Sequence, residues 1–376
     1  MFKDWQTKKL GEVCEIYQPK TISKKEMILD GKYLVFGANG VIGKYDKYNH
    51  ENSELLITCR GATCGSINIS VPKSWINGNA MIIRPLNNEQ LSKDYLRYFF
   101  SGIDLSSVIT GAAQPQITRQ TLSPFNISLP PLPEQHRIVK MLDEVFADVA
   151  RAKTNAEKNL QNAKEIFVSY LQNVFANPGE DWQTKKLGEV CVIGAGNSAP
   201  QKKEFFIDGV YPFFRTSDIG QIHIGRITES SDYLNEKGIK GLKLFNKGTI
   251  LLPKSGASTF LNHRVVLGLD GYVSSHLATV KTDEKVLNNS YLFYFLQEVK
   301  AQDLIQDHKY PSLNLPVIGN IEISYPESLP EQQRIVKKLD ALSAETKKLE
   351  AIYQQKIDDL EELKRSVLKK AFSEEL

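Results

Sequence analysis

Apolar residues recur at three and four positions along two long stretches of this chain. In the first they are Ile138, Leu142, Val145, Val149, Ala152, Ala156, Leu160, Ala163, Phe167, Leu171 and Val174. In the second they are Ile335, Leu339, Leu342, Leu349, Tyr353, Ile357, Leu360, Leu363, Val367 and Ala371, with Thr346 holding one place. A single apolar stripe with charged flanks is the seam of a coiled coil. Each stretch opens on a proline suited to the first helical turn and a glutamate that favours the positive end of the helix dipole: Pro133-Glu134 and Pro330-Glu331. No further Pro or Gly interrupts either, so the pattern predicts two helices over residues 132–176 and 329–372. At about 1.5 Å per residue each makes a rod of roughly 66 Å. Taken alone, such rods indicate oligomerisation or a spacer.

The rods are copies of one another. Pro133-Glu134-Gln135-His136-Arg137-Ile138-Val139-Lys140 recurs as Pro330-Glu331-Gln332-Gln333-Arg334-Ile335-Val336-Lys337, an offset of 197 positions (330 less 133). A second repeat precedes each rod: residues 4–14, Asp-Trp-Gln-Thr-Lys-Lys-Leu-Gly-Glu-Val-Cys, return unchanged at 181–191, an offset of 177. The second block is therefore 20 residues longer than the first between its opening and its rod (197 less 177). The chain reads as block, rod, block, rod, a duplication with divergent interiors.

Inside the blocks the period shortens. Tyr33-Leu34-Val35-Phe36, Leu55-Leu56-Ile57-Thr58, residues 66–71 and Ala80-Met81-Ile82-Ile83 predict strands in the first block, and residues 91–100 a helix. The second offers Tyr211-Pro212-Phe213-Phe214, Thr249-Ile250-Leu251-Leu252, Arg264-Val265-Val266-Leu267 and Ala278-Thr279-Val280, then a helix over 291–299. Asp30-Gly31-Lys32-Tyr33 matches Asp208-Gly209-Val210-Tyr211. The expected fold is α+β: two strand-rich globular domains, residues 1–131 and 177–328, separated along the chain by long antiparallel helices at 132–176 and 329–376, with a pseudo-twofold internal repeat.

Composition narrows the class only a little. Charged residues are 24% of the 376, and the net charge of +3 requires any nucleic-acid surface to be local. Four cysteines, Cys14, Cys59, Cys64 and Cys191, are too few and scattered for a disulfide scaffold, and Cys59 and Cys64 have no partners at zinc-ligand spacing. No signal-peptide core and no run of 18 apolar residues occurs, so a soluble cytoplasmic protein is expected.

Catalytic chemistry is not visible. Gly37-Ala38-Asn39-Gly40, Gly194-Ala195-Gly196 and Gly40-Val41-Ile42-Gly43-Lys44-Tyr45 lack the spacing of dinucleotide and phosphate loops and read as turns. There is no HExxH, no Gly-x-Ser-x-Gly and no base-methylating Asn/Asp-Pro-Pro-aromatic tetrad. The six histidines are dispersed, and His263 and His276 have no obvious counterparts in the first block. What the blocks carry instead are loops mixing cations, amides and hydroxyls. Arg, Asn and Gln pair with base edges, while Lys, Ser and Thr hold phosphates. Candidate DNA contacts are Lys20, Asn39, Arg60, Thr63, Gln114, Gln116 and Arg119 in the first block. In the second they are Arg215, Ser217, Lys254, Ser255, Ser258, His276, Lys309 and Tyr310.

The punctuation resembles the specificity subunit of type I restriction-modification systems. The matching features are Trp5-x-x-x-x-Leu10-Gly11-Glu12 and Trp182-x-x-x-x-Leu187-Gly188-Glu189, and Leu132-Pro133-Glu134-Gln135 and Leu329-Pro330-Glu331-Gln332. Residues 57–65, 251–257 and 111–116 also resemble that family's recognition-domain strand and loops. The second block shows no clear equivalent of Gln114-Pro115-Gln116, offering Lys309-Tyr310-Pro311-Ser312 instead. The resemblance implies a non-catalytic reader of a two-part DNA sequence. Each domain would read one half-site and the helices would set the gap. Two methyltransferase subunits would dock on the helices, and restriction subunits would join that core. S-adenosylmethionine, ATP and Mg would belong to the partners, with no cofactor or metal on this chain. The competing reading is a coiled-coil adaptor that scaffolds proteins without reading DNA.

Overall fold

The structure is a computed structural model, described here for residues 5–111, 113–305, 309 and 311–372. The chain divides into two compact units, residues 1–158 with 353–376, and residues 159–352. The long helices run Leu132–Ala176 and Leu329–Phe372, as the apolar period predicts, and each unit takes part of both.

The first unit is built on a four-stranded antiparallel sheet in the order Cys14–Tyr17, Ala80–Pro85, Leu55–Thr58, Ile67–Ile69. The two central strands are buried almost throughout, which explains why they read as continuous apolar runs rather than alternating ones. Their alternation is nonetheless present: Leu55, Ile57, Met81 and Ile83 pack with Tyr95, Leu96 and Phe99 of the helix Lys93–Gly102. Leu56, Ala80 and Ile82 face the other way, onto Phe36 and Ile76 of a small second sheet. That sheet orders Gly40–Tyr45, Tyr33–Gly37 and Trp75–Ile76. A ribbon of Gln6–Lys9 with Asn126–Leu129 closes the unit beside the long helix.

The second unit repeats this plan with one more strand. Its main sheet runs Cys191–Ala195, Leu277–Thr282, Ile250–Pro253, Arg264–Leu267, Ile224–Ile227. The small sheet is Tyr233–Leu234, Tyr211–Phe214, Tyr272–Val273, and the ribbon pairs Trp182–Lys186 with Glu322–Pro326. Most of the 20 extra residues fall between Phe214 and Ile250, a step of 36 against 19 from Phe36 to Leu55. This stretch makes the helix Thr216–Ile222 and the added edge strand.

Two glycine segments expected as turns are strands. Gly40–Tyr45 is the second arm of a hairpin with Tyr33–Gly37, and only residues 38 and 39 turn. Gly43 lies where a Cβ would come within 2.8 Å of Met27 Sδ, so glycine here serves close packing within a strand. Gly194 and Ala195 likewise belong to the strand Cys191–Ala195, paired with Thr279 and Ala278.

The repeated words of the sequence have repeated bonding. Gln135 is wholly buried: its Oε1 accepts Ser92 N–H at 2.8 Å, and its Nε2 donates to Gln90 O and Pro130 O. Gln332 does the same, accepting Asn288 N–H at 2.7 Å and donating to Val286 O and Pro326 O. Tyr98 donates to Asp143 and Tyr294 to Asp340, each locking a domain helix to a long one. In the first unit the helix segments pack antiparallel: Ile138 and Leu142 share a core with Leu368 and Phe372, and Lys153 bonds Glu361 at 2.6 Å. Phe372 stacks edge-on against Tyr95, and Phe175 against Tyr291.

Candidate nucleic-acid interface

In the first unit five loops converge at one end of the main sheet. The strand Leu55–Thr58 runs out into Cys59-Arg60-Gly61, which zips onto residues 115–117. Gly61 N–H donates to Pro115 O (3.0 Å), Ile117 N–H to Cys59 O (3.0 Å), and Arg60 and Gln116 form an antiparallel bridge. Gln116 is also paired through both backbone groups with Thr110, which holds the two residues side by side. Gly111 makes it possible, with φ +87° and a Cβ position only 2.4 Å from Gln114 O.

The hairpin turn at Ala38-Asn39 is tied to the same loop: Thr58 Oγ1 donates to Ala38 O at 2.7 Å, and Asn39 Oδ1 accepts the hydroxyls of Thr58 and Thr63. On the other side, Gln18 Nε2 donates to Cys59 Sγ at 2.9 Å and to Gly78 O, and Gly78 N–H donates to Thr21 Oγ1. Burial pushes the Cys59 thiol up, so it stays protonated and donates to Asn79 O at 3.0 Å. Lys20, Asn39, Arg60, Thr63, Gln114 and Gln116 are thus carried on one cluster of cross-braced loops. Arg60 is exposed, and its guanidinium makes no hydrogen bond or ion pair among the described residues. Arg119 stands apart, in a cleft with Lys9, Gly11 and Glu12 of the opening motif.

The second unit builds the same platform. Gly256 N–H donates to Pro311 O (3.0 Å), Leu313 N–H to Lys254 O (2.8 Å), and Ser255 and Ser312 form the antiparallel bridge. Pro311-Ser312 is therefore the counterpart of Pro115-Gln116, which the sequence does not reveal because only the proline is shared. Gly61 and Gly256 both sit at positive φ, +87° and +76°. Ser255 stands where Arg60 stands. His276 also has a counterpart after all: Lys254 N–H donates to His276 O as Cys59 N–H does to Asn79 O.

Lys254, Ser255, Ser258 and His276 meet here. Ser258 donates to Ser255 O, and Ser255 Oγ lies 2.8 Å from His276 Nδ1. Lys309 is exposed nearby in sequence, and Tyr310 lies outside the described residues. Ser217 is exposed on the first turn of the helix Thr216–Ile222. Arg215 is committed elsewhere: its Nε donates to Asp232, and its guanidinium lies over the rings of Phe213 and Phe206. The residues that sequence reasoning missed are Gln18 and Asn79. Their signal was weak, one amide before Pro19 and one in the turn Asn77-Gly78-Asn79 ahead of an apolar strand.

Among the described residues no group of three or more His, Cys, Asp or Glu is placed to hold a metal ion, and no helix is long and apolar enough to cross a membrane.

The model of the type I restriction modification DNA specificity domain matches residues 2–160 and again 179–359, one copy on each repeat. The chain belongs to this family. It is similar to the type I restriction enzyme MjaIX specificity subunit of Methanocaldococcus jannaschii, 23% identical over 362 residues, covering 86% of this chain and 82% of that one. The EcoDI specificity subunit of Escherichia coli is 21% identical over 410 residues, covering 99% and 89%. Among solved structures, the HsdS subunit from Thermoanaerobacter tengcongensis has a TM-score of 0.66 at 20% identity, covering 100% of this chain and 98% of that chain. A chain from a structure on complex assembly and conformational transition of the type I R-M system reaches 0.77 at 19%, covering 100% and 99%. The fold is that of these subunits. The chain is accordingly a non-catalytic specificity subunit of a type I restriction-modification system, and a DNA-independent adaptor is not favoured. Such subunits bind DNA and assemble with methyltransferase subunits.

Proposed function

We propose that each unit reads one half of a bipartite duplex target through its loop platform, and that the two halves differ in sequence. One observation carries this reading. The platforms share the backbone bonds that join the strand-end loop to the proline segment and to the Asn79/His276 position, yet Arg60 and Gln116 of the first are replaced by Ser255 and Ser312 in the second. A constant backbone that presents different hydrogen-bonding groups is what two different half-sites require, because base edges are distinguished by donor and acceptor patterns. The long helices set the gap between half-sites and dock two methyltransferase subunits, with restriction subunits joining that core in the cytoplasm. S-adenosylmethionine, ATP and Mg are then held by the partners.

The test is an exchange of residues 20–125 for the matching region of a relative with a different target. Methylated adenines are mapped after exposure of DNA to the reconstituted complex. One half-site changes and the other persists. Simultaneous change of both would show that the units form one composite site, contrary to the proposal.

A further inference from the structure

Asn77 and Asn79 lie two residues apart at the platform of the first unit and are used differently. Asn77 is 3% exposed and spends its amide on the fold: Oδ1 accepts Ile22 N–H at 2.9 Å and Trp75 Nε1–H, and Nδ2 donates to Ile22 O. Asn79 is exposed, and its side-chain amide has no partner among the described residues. Its backbone, in contrast, is pinned, because Asn79 O accepts both Cys59 N–H and Cys59 Sγ–H. The result is an unengaged amide on an immobilised stem, next to the segment by which the strand Leu55–Thr58 runs out into Arg60.

The second unit has the same stem. Ala80 N–H donates to Asn77 O as Leu277 N–H donates to Ser274 O, and Asn77 N–H donates to Phe36 O as Ser274 N–H does to Phe214 O. Asn79 and His276 therefore share one register position. His276 is exposed, with Nδ1 oriented by Ser255 Oγ at 2.8 Å and Nε2 without a partner among the described residues. Fixing one ring nitrogen fixes where the other points. Both side chains are hydrogen-bonding groups on a pinned backbone that contribute little to their own unit, and His276 is further oriented by Ser255; such a mount suits a base-reading position.

We propose that this shared position determines specificity: Asn79 reads one base pair of the first half-site and His276 one base pair of the second. This rests on the half-site reading above. An asparagine amide matches the N6/N7 edge of adenine, donating from Nδ2 to N7 and accepting at Oδ1 from N6. A histidine Nε2 makes a single contact whose sense follows its tautomer.

The experiment uses the full chain assembled with its methyltransferase partner, and measures binding and methylation on duplex libraries randomised across the target. Asn79→Ala removes no bond of the fold, so an unchanged melting temperature is expected. Discrimination at one base pair of the first half-site should fall by roughly 5- to 150-fold, with the second half-site untouched. His276→Ala should relax one base pair of the second half-site alone. Unaltered base preference in Asn79→Ala would overturn the inference, as would equal weakening on all sequences, the mark of a phosphate contact. Absence of any sequence preference in the unsubstituted complex would instead overturn the half-site reading on which it rests.

Discussion

Gln135 holds Ser92 by a hydrogen bond from the Ser92 N–H to its buried Oε1, 2.8 Å long, and Gln332 holds Asn288 in the same way at 2.7 Å. Ser92 and Asn288 are the caps of the helices that cover the main sheets. The fourth letter of Leu-Pro-Glu-Gln is thus the joint between each globular part and its long helix.

Gln135→Ala leaves Ser92 N–H, Gln90 O and Pro130 O without their partner, the first two half-buried and the last buried. Each buried polar group so orphaned costs about 1–3 kcal/mol, and partial relaxation keeps the total near 3 kcal/mol. Urea denaturation of Gln135→Ala should show that loss in the first unit, and Gln332→Ala an equal one in the second. A loss below about 0.5 kcal/mol in either would show that the joint is made elsewhere.

Arg60 and Arg215 look alike in the sequence but should behave differently. Arg60→Ala should reduce discrimination at a base of the first half-site by about 1–3 kcal/mol in competition binding, because its guanidinium is unengaged. Arg215 is part of an ion pair with Asp232, with both side chains about one-third exposed. Arg215→Ala should cost about 1 kcal/mol of stability in the second unit and leave base preference intact. A reversal of these two effects would mean that the Asp232 pairing gives way on DNA.

His263 gives the second unit a pH dependence. Burial, the neighbouring His223 whose Nδ1 is 3.0 Å away, and the wholly buried Arg264 all hold its imidazole below the ordinary histidine value of 6.5. Arg264 itself donates to Leu296 O, His263 O and Val299 O and is brought down to about 10 by burial. The folded chain therefore favours neutral His263 while the unfolded chain takes up the proton near its ordinary value. The unfolded state binds more protons across that window, so stability is present above the ordinary value and falls as the solution is acidified through it. Melting temperatures at about pH 7.5 and 5.5 should show this fall, and His263→Gln should flatten it. An unchanged slope in the variant would assign the effect to other groups, His50 foremost, which burial also holds low.

The helices, the duplicated frame and most strands could be read along the chain because they rest on local periodicity and on repeated words. Leu132–Ala176 and Leu329–Phe372 carry their own seam, and Leu55–Thr58, Tyr211–Phe214 and Arg264–Leu267 their own apolar run. Glycine misled where its role was close approach rather than turning, as at Gly43 and Gly194. The family, too, was legible from the openings and the Leu-Pro-Glu-Gln joints.

The platform was only partly legible. Pairing of Gly61 with Pro115 and of Gly256 with Pro311 joins segments more than fifty residues apart through backbone groups, which carry no side-chain signature. Equivalence of Pro115-Gln116 with Pro311-Ser312, and of Asn79 with His276, therefore emerges only once the chain is folded. The same holds for engagement: nothing local separates Arg60 from Arg215, or Asn79 from Asn77. Whether a polar side chain is consumed by the fold or left for a ligand depends on partners brought from distant sequence, and those partners are set by tertiary structure.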